Sequence, residues 1–331
     1  MEFSATAGTA GGSLKALFEV RDGDNLENFK GKVTKADSYS LTVENISIDN
    51  IKSLNLPDKD GKITVNNISY SYDSWEAQVD AQGNIKSVTF NLSKDKAIAD
   101  PEKTVAEGYL LNAGSAINAR GIPYYMTQLN EFVRNFSEMF NQIESKGQNL
   151  NGDTPPTFFE AITNTAKVYD FSESEAYSKL PDGQTATINS SSNTYYRMTA
   201  ANFSVNKDVM NDVSLFATST DYVKTDSCDI VDELKKLQSE KTVYRGDKAE
   251  SFLETIISNV SVDTEKAETY NKLYSNLEQT IANQRTSVSG VDEDEEALNL
   301  VKFQYSYNMA SKIISVMNQM LDKLINDTGV A

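Results

Sequence analysis

Residues 287–325 read SVSGVDEDEEALNLVKFQYSYNMASKIISVMNQMLDKLI. Within them Leu300, Phe303, Tyr307, Ala310, Ile314, Met317, Leu321 and Leu324 recur at alternating spacings of three and four. On an α-helix that spacing lines them along one face as a heptad seam. A second row, Met309, Ile313, Val316 and Met320, runs beside the first. A two-stranded coil needs only a narrow seam, so a wider apolar face expects several neighbours. The stripe stands at the C-terminal end of the sequence, with no later segment to fold over it. It is read as an assembly contact, not as the buried face of a core helix.

Upstream of the seam, Asp292 and Glu295 have capping-box spacing, and the acids from Asp292 to Glu296 complement the positive end of a helix. Five consecutive acids on a helix start point in several directions, which argues for solvated capping over a metal site. A helix over about 264–286 puts Tyr270, Leu273, Leu277 and Ile281 inward; another starts at Asp247 and a third covers 229–238. Segment 148–228 is polar, with Pro155-Pro156 and Ser190-Ser191-Ser192, and reads as loops and hairpins. Extended candidates in it lie near Tyr195–Met198 and Phe203–Val205. Before it, Ile122, Tyr125, Leu129, Phe132, Phe136, Met139 and Ile143 form a second three–four seam, with Gly147 as the expected C-cap.

From about Lys35 to Leu92 the period changes to two. Tyr39, Leu41 and Val43 alternate, as do Ile63 and Val65, Ile68, Tyr70 and Tyr72, and Val88, Phe90 and Leu92. Turn signals such as Asp58-Lys59-Asp60-Gly61 and Asn66-Asn67 separate them, giving a small antiparallel β domain around the single Trp75. Residues 13–22 read as a short helix with Leu14, Leu17 and Phe18 on one face. The fold class is therefore α+β: a discontinuous, rod-like helical bundle, an inserted antiparallel β domain and a long coiled-coil-type C-terminal helix. The expected divisions are 1–23, 24–120, 121–150, 151–228, 229–290 and 291–331.

Composition narrows the function. The 331 residues carry a net charge of −17 and no histidine. Without histidine, serine triads, cysteine–histidine dyads and histidine zinc sites are excluded. The lone Cys228, between Asp226 and Asp229, is read as unreactive and has no internal disulfide partner. No basic stripe exists to neutralise phosphates, and the acidic balance disfavours an anionic membrane, so neither nucleic acid nor membrane is an expected partner. No stretch reaches the ~20 apolar residues of a membrane span. No cleavable signal peptide is visible. No enzyme activity, cofactor or metal is expected.

Three blocks resemble a known family, flagellar hook-associated protein 1, the hook–filament junction proteins. The first is GGSLKALFEVRD at 11–22. The second is IPYYMTQLNEFVRNFSEMFNQIESKGQNLNG at 122–152, similar to a family helix with a tyrosine near its start and a Gly-x-x-Leu-x-Gly turn after it. The third is the tail: the turn Ser289-Gly290-Val291, the acids Asp294-Glu295-Glu296, Phe303-Gln304 with Tyr307, and Met320-Leu321-Asp322 with Leu324. Asp292-Glu293 stand where the family has a small polar residue and a leucine, and the β domain interrupts the family pattern.

The resemblance implies a structural adaptor between hook and filament. It implies self-assembly through terminal helices, contacts with hook protein and a filament-side junction protein, and an export chaperone on the C-terminal helix. It also implies an extracellular place in the flagellum, reached by type III export without a cleaved signal. The family's N-terminal helices have no counterpart, so the sequence is expected to be a C-terminal fragment with a vector-derived start at residues 1–3. Two other readings stay open: hook or another rod-type axial protein, and a stalked binding or adhesive protein using the β domain.

Overall fold

A computed structural model describes residues 11–326 apart from 59, 95–96, 100, 102–104, 106, 115–116, 164, 166, 224–226 and 240–246. The expected vector-derived start and Asp226 beside Cys228 lie outside the described residues. In chain order the elements are α1 (Ser13–Asp22), β1 (Lys30–Asp37), β2 (Ser40–Glu44), β3 (Gly61–Val65), β4 (Ile68–Val79), β5 (Ile85–Leu92) and β6 (Leu110–Ala113). Then come α2 (Ile122–Glu144), β7 (Phe159–Ala161), α3 (Ser172–Ser178), β8 (Ala186–Asn189), β9 (Phe203–Val205), α4 (Lys207–Asn211), α5 (Asp229–Ser239), α6 (Ala249–Ser289) and α7 (Glu293–Asn326). The chain is α+β, and it divides into two compact units, one ending at Ser258 and one beginning at Asn259.

In the first unit the alternating segments form a closed antiparallel barrel. β1 pairs β2, β2 pairs β5, β5 pairs β4, β4 pairs β3, β3 pairs β6, and β6 returns to β1. Closure removes the open edges that would template other strands. β6 is the strand that closes it, and its four residues are too short for a periodic signal. Inside lie Leu41, Val43, Ile63, Val65, Tyr72, Trp75, Phe90 and Leu111. A register shift between Tyr72 and Ser74 moves the inward parity of β4 from Tyr70 and Tyr72 to Trp75, Ala77 and Val79. Trp75 thus packs within the barrel, as the sequence implied, with its ring edge-on to Tyr196 at 5.0 Å.

β8 pairs with the second half of β4. The polar segment after α2 therefore contributes a strand to the barrel sheet as well as loops. β7 and β9 form a separate two-stranded sheet, so Phe203–Val205 is extended as expected. Tyr195–Arg197 is a 3-10 turn instead, with Tyr195 and Tyr196 buried.

α2 is the axis of this unit, and its burial corrects the seam reading. Phe132 and Phe136 pack beside Ala249, Phe252 and Ile256 of α6, while Ile143 joins Ile230 and Leu237 of α5. Ile122, assigned to the seam, is exposed. The opposite, polar face is buried more completely: Gln128, Asn130, Glu131, Arg134, Asn135, Glu138, Asn141 and Glu144 are all inside. A polar helix face can be buried when its groups find partners. Arg134 donates to the carbonyls of Met198 (2.9 Å), Lys52 (2.9 Å) and Leu54 (2.6 Å). Glu138 pairs with Lys52 at 2.6 Å. Asn141 donates to the Phe159 carbonyl and the Tyr195 hydroxyl and accepts from the Phe159 N–H.

α2 is capped by Ser145, not Gly147. Gly147 serves close packing: a Cβ there would lie 2.6 Å from that of Ala217.

The two helices expected after Asp247 are one. α6 runs unbroken for 41 residues. The run Ser258–Thr264 is rich in Ser, Val and Asp and weakens helix propensity, but neither Gly nor Pro interrupts it.

Candidate assembly surface

α7 has no buried residue. Its seam residues are open to solvent: Leu300 is 69% exposed, Phe303 and Tyr307 73%, and Leu321 51%. Ala310, Ile314, Met317 and Leu324 are exposed with them. The second row, Met309, Ile313, Val316 and Met320, is exposed beside the seam, and Leu298, Val301, Tyr305 and Ile325 widen the apolar surface further. Surface apolar residues scattered singly are ordinary, whereas these form a contiguous stripe, which makes α7 the candidate assembly surface. The chemistry on offer is apolar burial, directed by the helix period.

The start of α7 is fixed as its sequence directs. The Asp292 carboxylate accepts from the N–H groups of Asp294 (3.0 Å) and Glu295 (3.3 Å). Asp294, Glu295 and Glu296 are exposed around that turn. Their placement favours the positive helix end. Gln304 is also exposed.

The signature turn has a steric basis. Ser289 is the last residue of α6, and its hydroxyl donates to the Arg285 carbonyl. The Gly290 N–H donates to the Thr286 carbonyl at 2.7 Å, and a Cβ at Gly290 would lie 2.2 Å from that oxygen. Gly290 therefore lets the chain leave α6 close to its final carbonyls. Val291, 67% exposed, carries it to Asp292.

α6 adds a stripe of its own. Tyr270, Leu273, Leu277 and Ile281, expected to face inward, are all exposed. Their spacing is that of a packing face, but nothing among the described residues covers it. The sequence reading missed the extent of this open surface, because periodicity reports which residues share a face and not what that face meets.

Among the described residues, no group of three or more His, Cys, Asp or Glu side chains could hold a metal ion. No helix among them is long and apolar enough to cross a membrane. Cys228 is free and exposed.

Comparison with known proteins places this surface inside a recognised segment. Residues 282–327 match the family described as flagellar basal body rod FlgEFG protein C-terminal. The match begins before the Gly290 turn and takes in all of α7. Over 215 residues the chain is also 24% identical to flagellar hook-associated protein 1 of Bacillus subtilis (strain 168). The chain resembles a flagellar hook-associated protein. That similarity covers 63% of this chain and 36% of the Bacillus protein, so the chain spans about a third of the length of its relative. The resemblance carried by the three blocks is borne out, and it supports a structural component of the flagellum.

Proposed function

We propose that the protein is an adaptor joining hook to filament and that it assembles through α7. The observation that carries the reading is the exposed double stripe of residues 300–324, lying within the segment matched to flagellar rod proteins. Each Leu, Ile, Met or Phe buried there contributes about 1.5–3 kcal/mol before the cost of ordering the partners. The role is mechanical and non-enzymatic.

The partners follow from the same reading. Copies of the chain pack their α7 helices against one another as part of a helical rod. Hook protein lies on one side and a filament-side junction protein on the other. Before assembly, an export chaperone covers the α7 stripe. The protein reaches the outside of the cell by flagellar type III export, without a cleaved signal.

One observation favours a second reading, a hook or other rod-type axial protein: the matched family is named for rod proteins. The longer similarity to a hook-associated protein weighs toward the adaptor.

Deleting the parent gene in its host separates the two. An adaptor leaves complete hooks without filaments and sheds unpolymerised flagellin into the medium. A hook or rod protein leaves no complete hook. Normal filaments would refute both.

A further inference from the structure

The first unit carries an apolar patch that the tail reading does not use. Leu150 (68% exposed), Met210 (68%), Val213 (81%), Tyr222 (48%) and Val223 (69%) stand on α4, the 3-10 turn Val213–Leu215 that follows it, and two neighbouring turns. Their adjacency is fixed by the backbone. The Leu150 N–H donates to the Ser214 carbonyl at 3.1 Å, and the Gln148 N–H donates to the Ser219 carbonyl at 2.9 Å. The Tyr222 ring lies against Gly152.

The turns are held by side chains. The buried Asn149 accepts from the N–H groups of Asn151 and Asp153. Asp212 accepts from Ser214 and Asp221 from Val223. The apolar tips are thus presented in advance, which lowers the ordering cost of a contact. Single exposed apolar residues need no explanation, but five on one ordered surface do.

The rim indicates what fits. Asp153, Asp208 and Asp212 are exposed around the patch and Asp221 is half-buried at its edge, against the single exposed cation Lys207 on α4 among the described rim residues, so the rim is net acidic. Patch-to-patch contact between two copies would bring two net-acidic rims together, and like charges so juxtaposed oppose binding. We infer that the patch docks a different protein surface, an apolar recess bordered by lysine and arginine. This inference concerns the unit ending at Ser258 and does not depend on how α7 assembles.

The test places the photo-crosslinking residue p-benzoylphenylalanine at Val213 of the full chain in its host. The expected result is one adduct with another protein, through a peptide containing Lys or Arg. Raising salt, or combining Asp153→Lys with Asp208→Lys, weakens it, and Leu150→Asp lowers its yield about tenfold, as for a central contact residue. Trp75 fluorescence confirms that each variant is folded. An adduct only between like patches, an adduct indifferent to salt and charge, or no adduct would overturn the inference.

Discussion

The guanidinium of Arg134 lies 4.5 Å from the centre of the Tyr196 ring. Tyr196 in turn donates to the Leu56 carbonyl at 2.7 Å and touches Trp75. One cation on α2 thereby ties the barrel, the turn at Ile51–Ser53 and the turn at Tyr195–Arg197 together. Burial pulls its pKa down to about 10, which still leaves it charged at neutral pH.

Arg134→Met keeps the side chain's bulk and removes its donors. The carbonyls of Met198, Lys52 and Leu54 lose them, at a cost of about 3–5 kcal/mol for buried acceptors left unpaired. Denaturant unfolding followed by Trp75 fluorescence measures the loss. A change within experimental error would mean that water replaces the guanidinium freely.

Glu144 gives the unit a pH dependence. Its carboxylate accepts the Ala217 N–H at 2.6 Å, and its other oxygen has no partner among the described residues. Burial raises its pKa from 4.5 to about 7. A carboxyl that holds its proton more tightly when folded favours the folded state at low pH. That contribution is fully present below the unfolded pKa and is lost as pH rises toward about 7. Stability therefore falls by ~2–3 kcal/mol between mild acid and slightly alkaline pH. Glu144→Gln keeps an acceptor for Ala217 and removes this contribution, so unfolding midpoints of the variant fall less steeply with pH than those of the wild type, the remainder coming from carboxyls such as Glu160 that burial also raises.

Gly290→Ala tests the signature turn. The added Cβ meets the Thr286 oxygen, so the turn must open or the helix must run on. The expected outcome is loss of assembly with an unchanged unfolding transition at Trp75, because that residue reports on the other unit. Normal assembly would show that the turn tolerates displacement.

The fold was legible where one face is wet and the other dry. Leu41, Val43, Ile63 and Val65 alternate because the barrel has an inside and an outside, and α7 declares its seam through unbroken spacing. β6 was not legible, since four residues carry no period and barrel closure depends on partners distant in sequence. The buried polar face of α2 was hidden for another reason. Arg134, Glu138 and Asn141 look like a solvated face until carbonyls from other segments arrive to satisfy them. Of the candidate site, the seam and the signature turn could be read directly. The exposed stripe on α6 and the patch at Leu150 and Val213 could not, because each depends on what fails to cover it.

The most direct measurement is assembly of Ile314→Asp and Leu321→Asp variants in the host, scored by electron microscopy of filaments, with Trp75 fluorescence of the purified chains as the control for folding. Each substitution sets a charge within the α7 stripe, Ile314 near its middle and Leu321 toward its end, and changes no residue of the barrel. The account predicts folded protein and no filament. Intact filaments built with either variant would contradict it.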